Sequence, residues 1–206
     1  MHKKLFLFSI FLLTTTFSFA QFKGGFYAGF NGSQVDGDNY AGYYKLGLNL
    51  SAAVEFPLSD YFGVSMEISY SQKGSQSKPV QGIPRAYFLK LDYVEVPFML
   101  NYHDQKKTTL SIGASVNRLV NQYEEIGPWS GGVSRPTGIR DLNNFSYEFK
   151  AGGSYQLNNH FLFNVIYSYS ITRMGTSEDS RFLNFGMYNN LLEFRIGYLI
   201  KGQAAK

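Results

Sequence analysis

The chain has 206 residues, of which 44% are hydrophobic and 17% charged, which is ordinary for one folded domain and excludes a largely disordered chain. Aromatic residues make up 17%, and 16 Tyr and 19 Phe occur beside 21 Gly and only 6 Pro, which favours β-strands joined by turns. There is no Cys, so a disulfide scaffold, a thiolate metal site and a lipidated-Cys anchor are not expected.

The N-terminus has the pattern of a targeting segment. Residues 2–4 are basic, residues 5–19 are mostly apolar, and Ala20 ends a small-residue cleavage site, so residues 1–20 are predicted to be a signal peptide cleaved after Ala20. An uncleaved membrane anchor is disfavoured, because three threonines interrupt the apolar run. Loss of two lysines lowers Lys+Arg from 19 to 17 against 15 acids, so the formal charge of the remaining domain, residues 21–206, falls from +4 to +2 and gives no argument for nucleic acid.

Eight later segments alternate apolar and polar residues. In the last one, Leu192, Phe194 and Ile196 share one face, whereas Glu193 and Arg195 share the other, because successive side chains of a strand point to opposite faces. The apolar face belongs either in the core of a soluble protein or against lipid. In chain order the predicted strands are residues 22–31, 43–56, 62–73, 86–102, 108–120, 145–156, 161–173 and 188–200.

The fourth predicted strand is irregular. Its apolar residues have odd numbers up to Tyr93 and even numbers from Val94 onward, and Pro97 follows shortly after. A phase change and a proline in one strand suggest a β-bulge. The equally weighted alternative is that the first half of the strand lies beyond the bilayer, where the alternation no longer matters.

The connections between these strands alternate long and short. That pattern is typical of membrane barrels, in which one rim carries long extracellular loops and the other short periplasmic turns. Aromatic residues cluster near both rims, as in interfacial girdles. The sequence thus predicts an all-β, eight-stranded antiparallel up-and-down transmembrane β-barrel in the outer membrane of a Gram-negative cell. A soluble periplasmic barrel that binds a small apolar ligand is the alternative, and it requires the apolar face to point inward.

Five segments carry a resemblance to a known family: Asn31-Gly32-Ser33, Asp36-Gly37-Asp38, the run from Glu67 to Ser75, the run from Leu91 to Pro97, and Gly113-Ala114-Ser115. In these the chain resembles the PorT-type outer-membrane β-barrel family of Bacteroidota. The resemblance implies an integral outer-membrane protein and, as an alternative function, an accessory part in protein export linked to type IX secretion. The chain departs from many outer-membrane barrels at its end, where residues 202–206 follow the last strand instead of a terminal aromatic residue.

Charged residues recur on the inward parity of several strands. They allow a charged pore or proton path, but a packed ion-pair network is favoured, because the interior of an eight-stranded barrel is just wide enough for side chains to fill it. Buried charges need partners, so Glu193 and Arg195 are each expected to contact an opposite charge from a neighbouring strand. The predicted network consists of Lys45, Glu67, Glu95, Glu148, Lys150, Glu193 and Arg195, with Glu55 nearby.

The longest predicted loop, residues 121–144, is a candidate docking surface. Tyr123, Trp129, Arg135 and Arg140 could form a protein-binding tip there, and a self-packed or disordered loop is the alternative.

Two arginines share the parity of lipid-facing residues. Arg118 and Arg173 lie near long loops, where their side chains can reach lipid headgroups. Lipopolysaccharide phosphates are therefore a candidate partner, and plain interfacial anchoring is the simpler alternative.

The histidines argue against an enzyme that acts on lipid. His2 leaves with the predicted signal peptide, and His103 and His160 fall in predicted periplasmic turns, so a Ser-His or Cys-His pair has no base on the lipopolysaccharide side. No catalytic or cofactor-binding residue is predicted.

Acidic residues near residue 37 resemble a calcium loop. Asp36, Asp38 and Asn39 supply oxygen atoms, but Tyr40 occupies the place of a further ligand. A solvated turn is therefore favoured, and no metal site is predicted.

The function expected from the sequence is that of a non-enzymatic scaffold or docking protein that presents extracellular loops. Its expected partners are outer-membrane lipid, lipopolysaccharide and envelope or secretion proteins. No nucleic acid and no cofactor are expected, and the protein is predicted to be a monomer.

Overall fold

Eight long strands form a closed antiparallel barrel, and two strands of two residues pair at one end of it. The computed structural model describes residues 22–80, 82, 86–104, 107–127, 135–136, 141–176 and 186–200. Within these ranges, no helix has the length and apolar character needed to cross a membrane. The strands are β1 (Lys23–Asp36), β2 (Lys45–Pro57), β3 (Phe62–Gln76), β4 (Tyr87–Asp104), β5 (Thr108–Ile126), β6 (Arg135–Pro136), β7 (Phe145–Gln156), β8 (Phe161–Ser170), β9 (Gly175–Thr176) and β10 (Gly186–Ile200).

Strand β1 closes the sheet, because it pairs with both β2 and β10. Its register with β10 runs from Gly24 opposite Ile200 to Asp36 opposite Tyr188. The other long strands pair with their neighbours in chain order. A closed sheet leaves no unpaired edge along the barrel wall, which is the condition for crossing lipid with strands.

Apolar side chains cover the outside of the barrel, and buried charged side chains lie inside it. Leu46 and Ile68 are 66% and 61% exposed, whereas Glu95 and Glu193 are 0% and 1% exposed. The predicted eight-stranded antiparallel barrel with an apolar outer face is confirmed. A soluble barrel that binds an apolar ligand requires the opposite arrangement, so this alternative does not fit the structure.

Several strands are longer than the sequence pattern predicts. Strand β7 has the predicted bounds, but β1 ends at Asp36 and β5 at Ile126, beyond the predicted ends at residues 31 and 120. The apolar alternation stops before the hydrogen-bonded ladder does, since Ile126 still pairs with Tyr87 of β4. Strand β8 behaves in the opposite way and ends at Ser170, before the predicted end at residue 173.

A β-bulge does lie beside Tyr93, where it is predicted, but its extra residue belongs to the partner strand β5 and not to β4. Odd-numbered residues of β4 face inward along its length, from Tyr87 to Asn101. The register with β5 instead shifts between Asp92 and Tyr93 and skips Val120, which is the extra residue of a β-bulge in β5. The apolar residues of β4 change parity because the side chains inside the barrel become apolar at that end.

Long and short connections alternate as predicted. The short ones, residues 58–61, 105–107 and 157–160, lie at one end of the barrel, together with the N-terminal end of β1 and the C-terminal end of β10. The long ones lie at the other end. These two ends are called the short-turn end and the long-loop end below.

Candidate functional site

The inside of the barrel contains a continuous chain of buried ion pairs. The Lys73 ammonium lies 2.5 Å from Glu95 and 2.6 Å from Glu148. The Lys150 ammonium lies 3.1 Å from Glu95 and also pairs with Glu193. Acids and bases therefore alternate through the lumen, in the order Glu148, Lys73, Glu95, Lys150, Glu193, Arg195 and Glu67.

Arg195 connects the last two acids of this chain. Its Nη1 lies 2.8 Å from Glu67 Oε2 and 3.9 Å from Glu193 Oε2. The guanidinium carbon also lies 5.0 Å from the centre of the Tyr27 ring, and Nε donates to Asn164 Oδ1 at 2.9 Å. A carboxylate, an amide and a ring thus all contact this guanidinium and favour one orientation of its plane.

Neutral polar side chains complete the hydrogen bonding of the acids. Asn49 Nδ2 donates to Glu193 at 3.2 Å, and Ser168 Oγ donates to Glu148 at 2.8 Å. Buried carboxylates cost several kcal/mol to desolvate unless cations and hydrogen-bond donors surround them. The lumen meets that condition for both acids.

Six of the seven residues predicted for the network lie in this chain. The seventh, Lys45, is buried nearer the long-loop end, where its ammonium donates to the Leu46 carbonyl at 2.7 Å and lies 5.3 Å from the centre of the Phe88 ring. The sequence pattern does not single out Lys73 as a member of this network. Lys73 shares the inward parity of Glu67, but it is the last residue of the predicted third strand, next to a loop.

The partners of the β10 charges were predicted in the wrong place. Glu193 pairs with Lys150 of β7, and Arg195 pairs with Glu67 of β3, whereas the neighbours of β10 in the barrel wall are β1 and β8. Long side chains reach across the narrow lumen. A charged residue can therefore pair with a residue of a strand that is not adjacent to its own strand in the sheet.

An apolar core fills the lumen at the long-loop end, above the charged chain. The rings of Tyr40 and Tyr87 stack with their centres 4.4 Å apart, and Leu119 also packs against this core. Its presence explains why the inward residues of β4 from Tyr87 to Tyr93 are apolar. The buried members are Val35, Tyr87, Leu89, Leu91, Tyr93, Leu142, Met174 and Met187.

The sequence that forms this barrel also matches a known family. The chain matches the outer membrane protein beta-barrel domain family over residues 19–174. The chain belongs to this family. None of the curated proteins compared with it matches.

Solved outer-membrane barrels are similar to this family member in fold. Neisserial surface protein A is 11% identical, with a TM-score of 0.50 over 86% of this chain and 96% of that one. Ail, the attachment invasion locus protein of Yersinia pestis, is 14% identical, with a TM-score of 0.49 over 87% and 99% of the two chains. OprG of Pseudomonas aeruginosa is 14% identical, with a TM-score of 0.44 over 89% and 98%. At 11% identity, the likeness to Neisserial surface protein A supports the barrel fold and nothing beyond it.

Membership of the outer-membrane β-barrel family supports an outer-membrane location. The exposed apolar belt then faces lipid, the long-loop end is the extracellular end, and the short-turn end is the periplasmic end.

The periplasmic end of the barrel holds a small polar cluster around Glu55. His103 Nε2 lies 3.1 Å from Glu55 Oε1, and His103 Nδ1 lies 3.0 Å from the Thr109 hydroxyl. Asn101 Nδ2 donates to the other Glu55 oxygen at 2.7 Å. His103 is thus part of β4, not of a turn as predicted, while His160 does lie in the turn before β8.

The predicted docking residues of this outer-membrane barrel fall partly outside the described residues. Tyr123 is exposed on the extracellular part of β5, and its ring packs edge-on against Phe88 with centres 6.3 Å apart. The backbone of Arg135 in β6 pairs with that of Ile126 in β5, and the Arg135 side chain lies outside the described part of the structure. Trp129 and Arg140 lie outside the described residues.

The acidic turn after β1 uses its oxygens internally. Asp36 accepts from Gln34 at 2.8 Å and from Asn190 at 3.1 Å, and Asp38 Oδ1 accepts from the Tyr40 amide at 2.8 Å. Among the described residues, no group of three or more His, Cys, Asp or Glu side chains is placed to hold a metal ion.

Proposed function

We propose that this outer-membrane barrel is a non-enzymatic scaffold that docks a partner through its extracellular strand ends and loops. The observation that carries this proposal is the filled lumen. The charged chain occupies its middle and the apolar core its extracellular end, with Glu95, Lys73 and Leu91 each 0% exposed. An interior packed with side chains leaves little space for a solute or a substrate, so the outer and extracellular surfaces are the ones available for function.

The extracellular extension of the wall supports a docking role. Strands β4 and β5 continue past the apolar belt as a paired ribbon, in which Tyr87 lies opposite Ile126. The apolar core packs behind this ribbon and holds it in place, and rigid elements position binding loops well. Tyr123 is exposed on the ribbon, and we assign it to the docking surface together with Trp129, Arg135 and Arg140 of the following loop.

The positions of the histidines support the non-enzymatic part of the proposal. His103 and His160 both lie at the periplasmic end, away from lipopolysaccharide. His103 lies between Thr109 and Glu55, and its two ring nitrogens are both within hydrogen-bond distance of these side chains. We interpret this cluster as a structural one that fastens β2, β4 and β5 at the barrel mouth.

Site-specific photocrosslinking in living cells tests the docking proposal. A photoreactive amino acid at position 123 is expected to give a covalent adduct of one defined protein mass. The same residue at Ile112, which is exposed in the lipid-facing belt, is the matched control and is expected to give none. Absence of an adduct at position 123 and across residues 127–144 would contradict docking, and so would steady single-channel steps in planar bilayers, because they require an open lumen.

An accessory part in protein export is the second candidate function. It is supported by the PorT-type resemblance, whose run from Leu91 to Pro97 spans the junction between the apolar core and the charged chain, with Leu91 in one and Glu95 in the other. Deletion of the gene followed by an assay of surface-exported proteins is the test. Unchanged export would count against this role.

The domain boundaries remain part of the proposal. We infer that residues 1–20 are removed and that the mature chain begins at Gln21. N-terminal sequencing of the protein from membranes tests this, and a first residue other than Gln21 would move the boundary.

A further inference from the structure

Two arginines lie on the outer face at the extracellular border of the lipid-facing belt. Arg118 is exposed on β5 and pairs with Phe145 of β7 across the ladder. Arg173 is exposed just after β8, and its carbonyl accepts from Asn143 Nδ2 at 3.0 Å. Its neighbour Met174 is buried in the apolar core, whereas Arg173 itself is exposed.

Phe145 lies between the two arginines. Its ring is 56% exposed, and the guanidinium carbon of Arg118 lies 5.9 Å from the centre of this ring. One strand separates the two arginines, so their backbones are roughly 10 Å apart, which is two strand spacings. Arginine side chains are long enough to bring both guanidinium groups together above the Phe145 ring.

Neither arginine has an anionic partner within the described part of the chain. The ion pairs found there join other residues, and none of them includes Arg118 or Arg173. The acid on the neighbouring strand, Asp92, pairs with Lys90 at 3.3 Å and accepts from Asn121 at 2.9 Å. Two guanidinium groups at a membrane border therefore retain free donors, and planar guanidinium groups match the oxygens of a phosphate.

Below this pair, toward the membrane centre, the outer face is apolar. Val116, Tyr147 and Ile171 are all exposed there, with Ile171 at 62%. A ligand of the pair would thus place its charged group beside the arginines and its acyl chains along these side chains.

We propose that Arg118 and Arg173 bind the phosphate of lipid A, the membrane anchor of lipopolysaccharide, with Phe145 between them. Lipid A is the phosphorylated lipid of the extracellular leaflet, and both arginines lie at the extracellular border. The proposal rests on the outer-membrane location and not on the docking partner, so it can fail while the docking proposal holds.

Lipid binding to the purified mature protein tests this site. The protein is refolded in a zwitterionic detergent, and native mass spectrometry measures how much added lipid A, phosphatidylglycerol or phosphatidylcholine it retains. The wild-type protein is expected to retain lipid A best. Arg118→Gln and Arg173→Gln should each weaken retention of lipid A about tenfold, as expected for loss of a hydrogen bond between charged groups.

Lys107→Gln is the matched control, because the Lys107 ammonium also lies over a ring, 6.0 Å from the centre of Tyr155, but at the periplasmic end. It should retain lipid A like the wild type. A gel shift on heating shows that each variant is folded. The proposal is overturned if the Arg118→Gln/Arg173→Gln double variant retains lipid A normally, or if Lys107→Gln loses as much.

Wild-type protein alone provides a second measurement that needs no variant. Phosphatase-treated lipid A keeps its acyl chains and sugars but lacks the phosphate, so its retention should fall to the level of phosphatidylcholine. Equal retention of treated and untreated lipid A, or equal retention of phosphatidylglycerol and lipid A, would show that the arginines provide only general interfacial anchoring.

Discussion

At the scale of single residues, position in the charged chain decides what a lumenal side chain contributes to stability. Glu95 lies between Lys73 and Lys150, so its replacement leaves two buried ammonium groups without their shared carboxylate. Glu67 lies at the end of the chain with one partner, Arg195, which also lies 3.9 Å from Glu193. Glu95→Gln should therefore lower the free energy of unfolding by about 3–5 kcal/mol, and Glu67→Gln by clearly less.

Urea unfolding in lipid vesicles, followed by the heat-dependent gel shift, measures both variants under the same conditions. Equal loss of stability in the two variants would contradict the expectation that a carboxylate in the middle of the ion-pair chain contributes more to stability than one at its end. The two substitutions change one oxygen to one nitrogen in each case, so side-chain volume is matched.

Gly74 is a residue whose backbone geometry requires glycine. Its φ is +129°, and a Cβ atom there would lie 2.0 Å from the Leu89 carbonyl oxygen. Gly82 has a φ of +78° but no atom within 4 Å of such a Cβ, which makes it the control. Gly82→Ala should cost roughly 1–2 kcal/mol for the left-handed backbone, and Gly74→Ala more, because the β3 to β4 ladder must also move apart. Unfolding midpoints in urea compare them, and a smaller loss for Gly74→Ala would contradict the close approach.

At the scale of strands, the bulge in β5 lets the residues on both sides of it point their polar side chains into the lumen. Asn117 faces inward below Val120, and Glu124 faces inward above it, although one number is odd and the other even. Deletion of Val120 should therefore leave every other β5 side chain on its present face and yield a folded barrel. Deletion of Val116, within the regular ladder, should turn the following residues over, so that Arg118 points inward, and should prevent folding.

The heat-dependent gel shift after refolding distinguishes these two deletions. A folded Val116 deletion, or failure of the Val120 deletion alone, would show that β5 does not use Val120 as its extra residue. The comparison is informative because both deletions remove one valine from one strand.

At the scale of the whole molecule, the sequence predicts the features that contact with lipid requires, such as the apolar outer face. It does not predict the features that depend on packing inside the barrel, such as the apolar core. Alternation in β10 and the loop lengths were sufficient for the strand number, because lipid requires every outward residue of the belt to be apolar. In β4, the apolar residues Leu89 and Leu91 face inward, into a core that no local pattern distinguishes from a lipid-facing surface. The same limit explains the misplaced ion pairs, since contacts across the lumen depend on barrel closure.

The candidate site was predictable in composition but not in connectivity. Parity alone places Glu95, Lys150 and Glu193 inside the barrel, and it would also have placed Lys73 there. Which acid contacts which base depends on the stagger of strands around the closed sheet, which β1 and β10 set by their register.

The orientation of the whole barrel wall relative to lipid gives the last prediction. Because the chain has no Cys, one introduced Cys is a unique attachment point for a spin label. Labels at Ile68, which is 61% exposed, and at the adjacent Ser69, which is 4% exposed, test opposite faces of β3 at nearly the same depth.

In lipid vesicles the label at position 68 should collide often with oxygen, which dissolves in lipid, and rarely with a water-soluble nickel complex. The label at position 69 should collide little with either, because packed side chains surround it. Frequent collisions of the label at position 68 with nickel would place that face in water and contradict the membrane orientation, whereas frequent nickel collisions at position 69 would show a hydrated, open lumen.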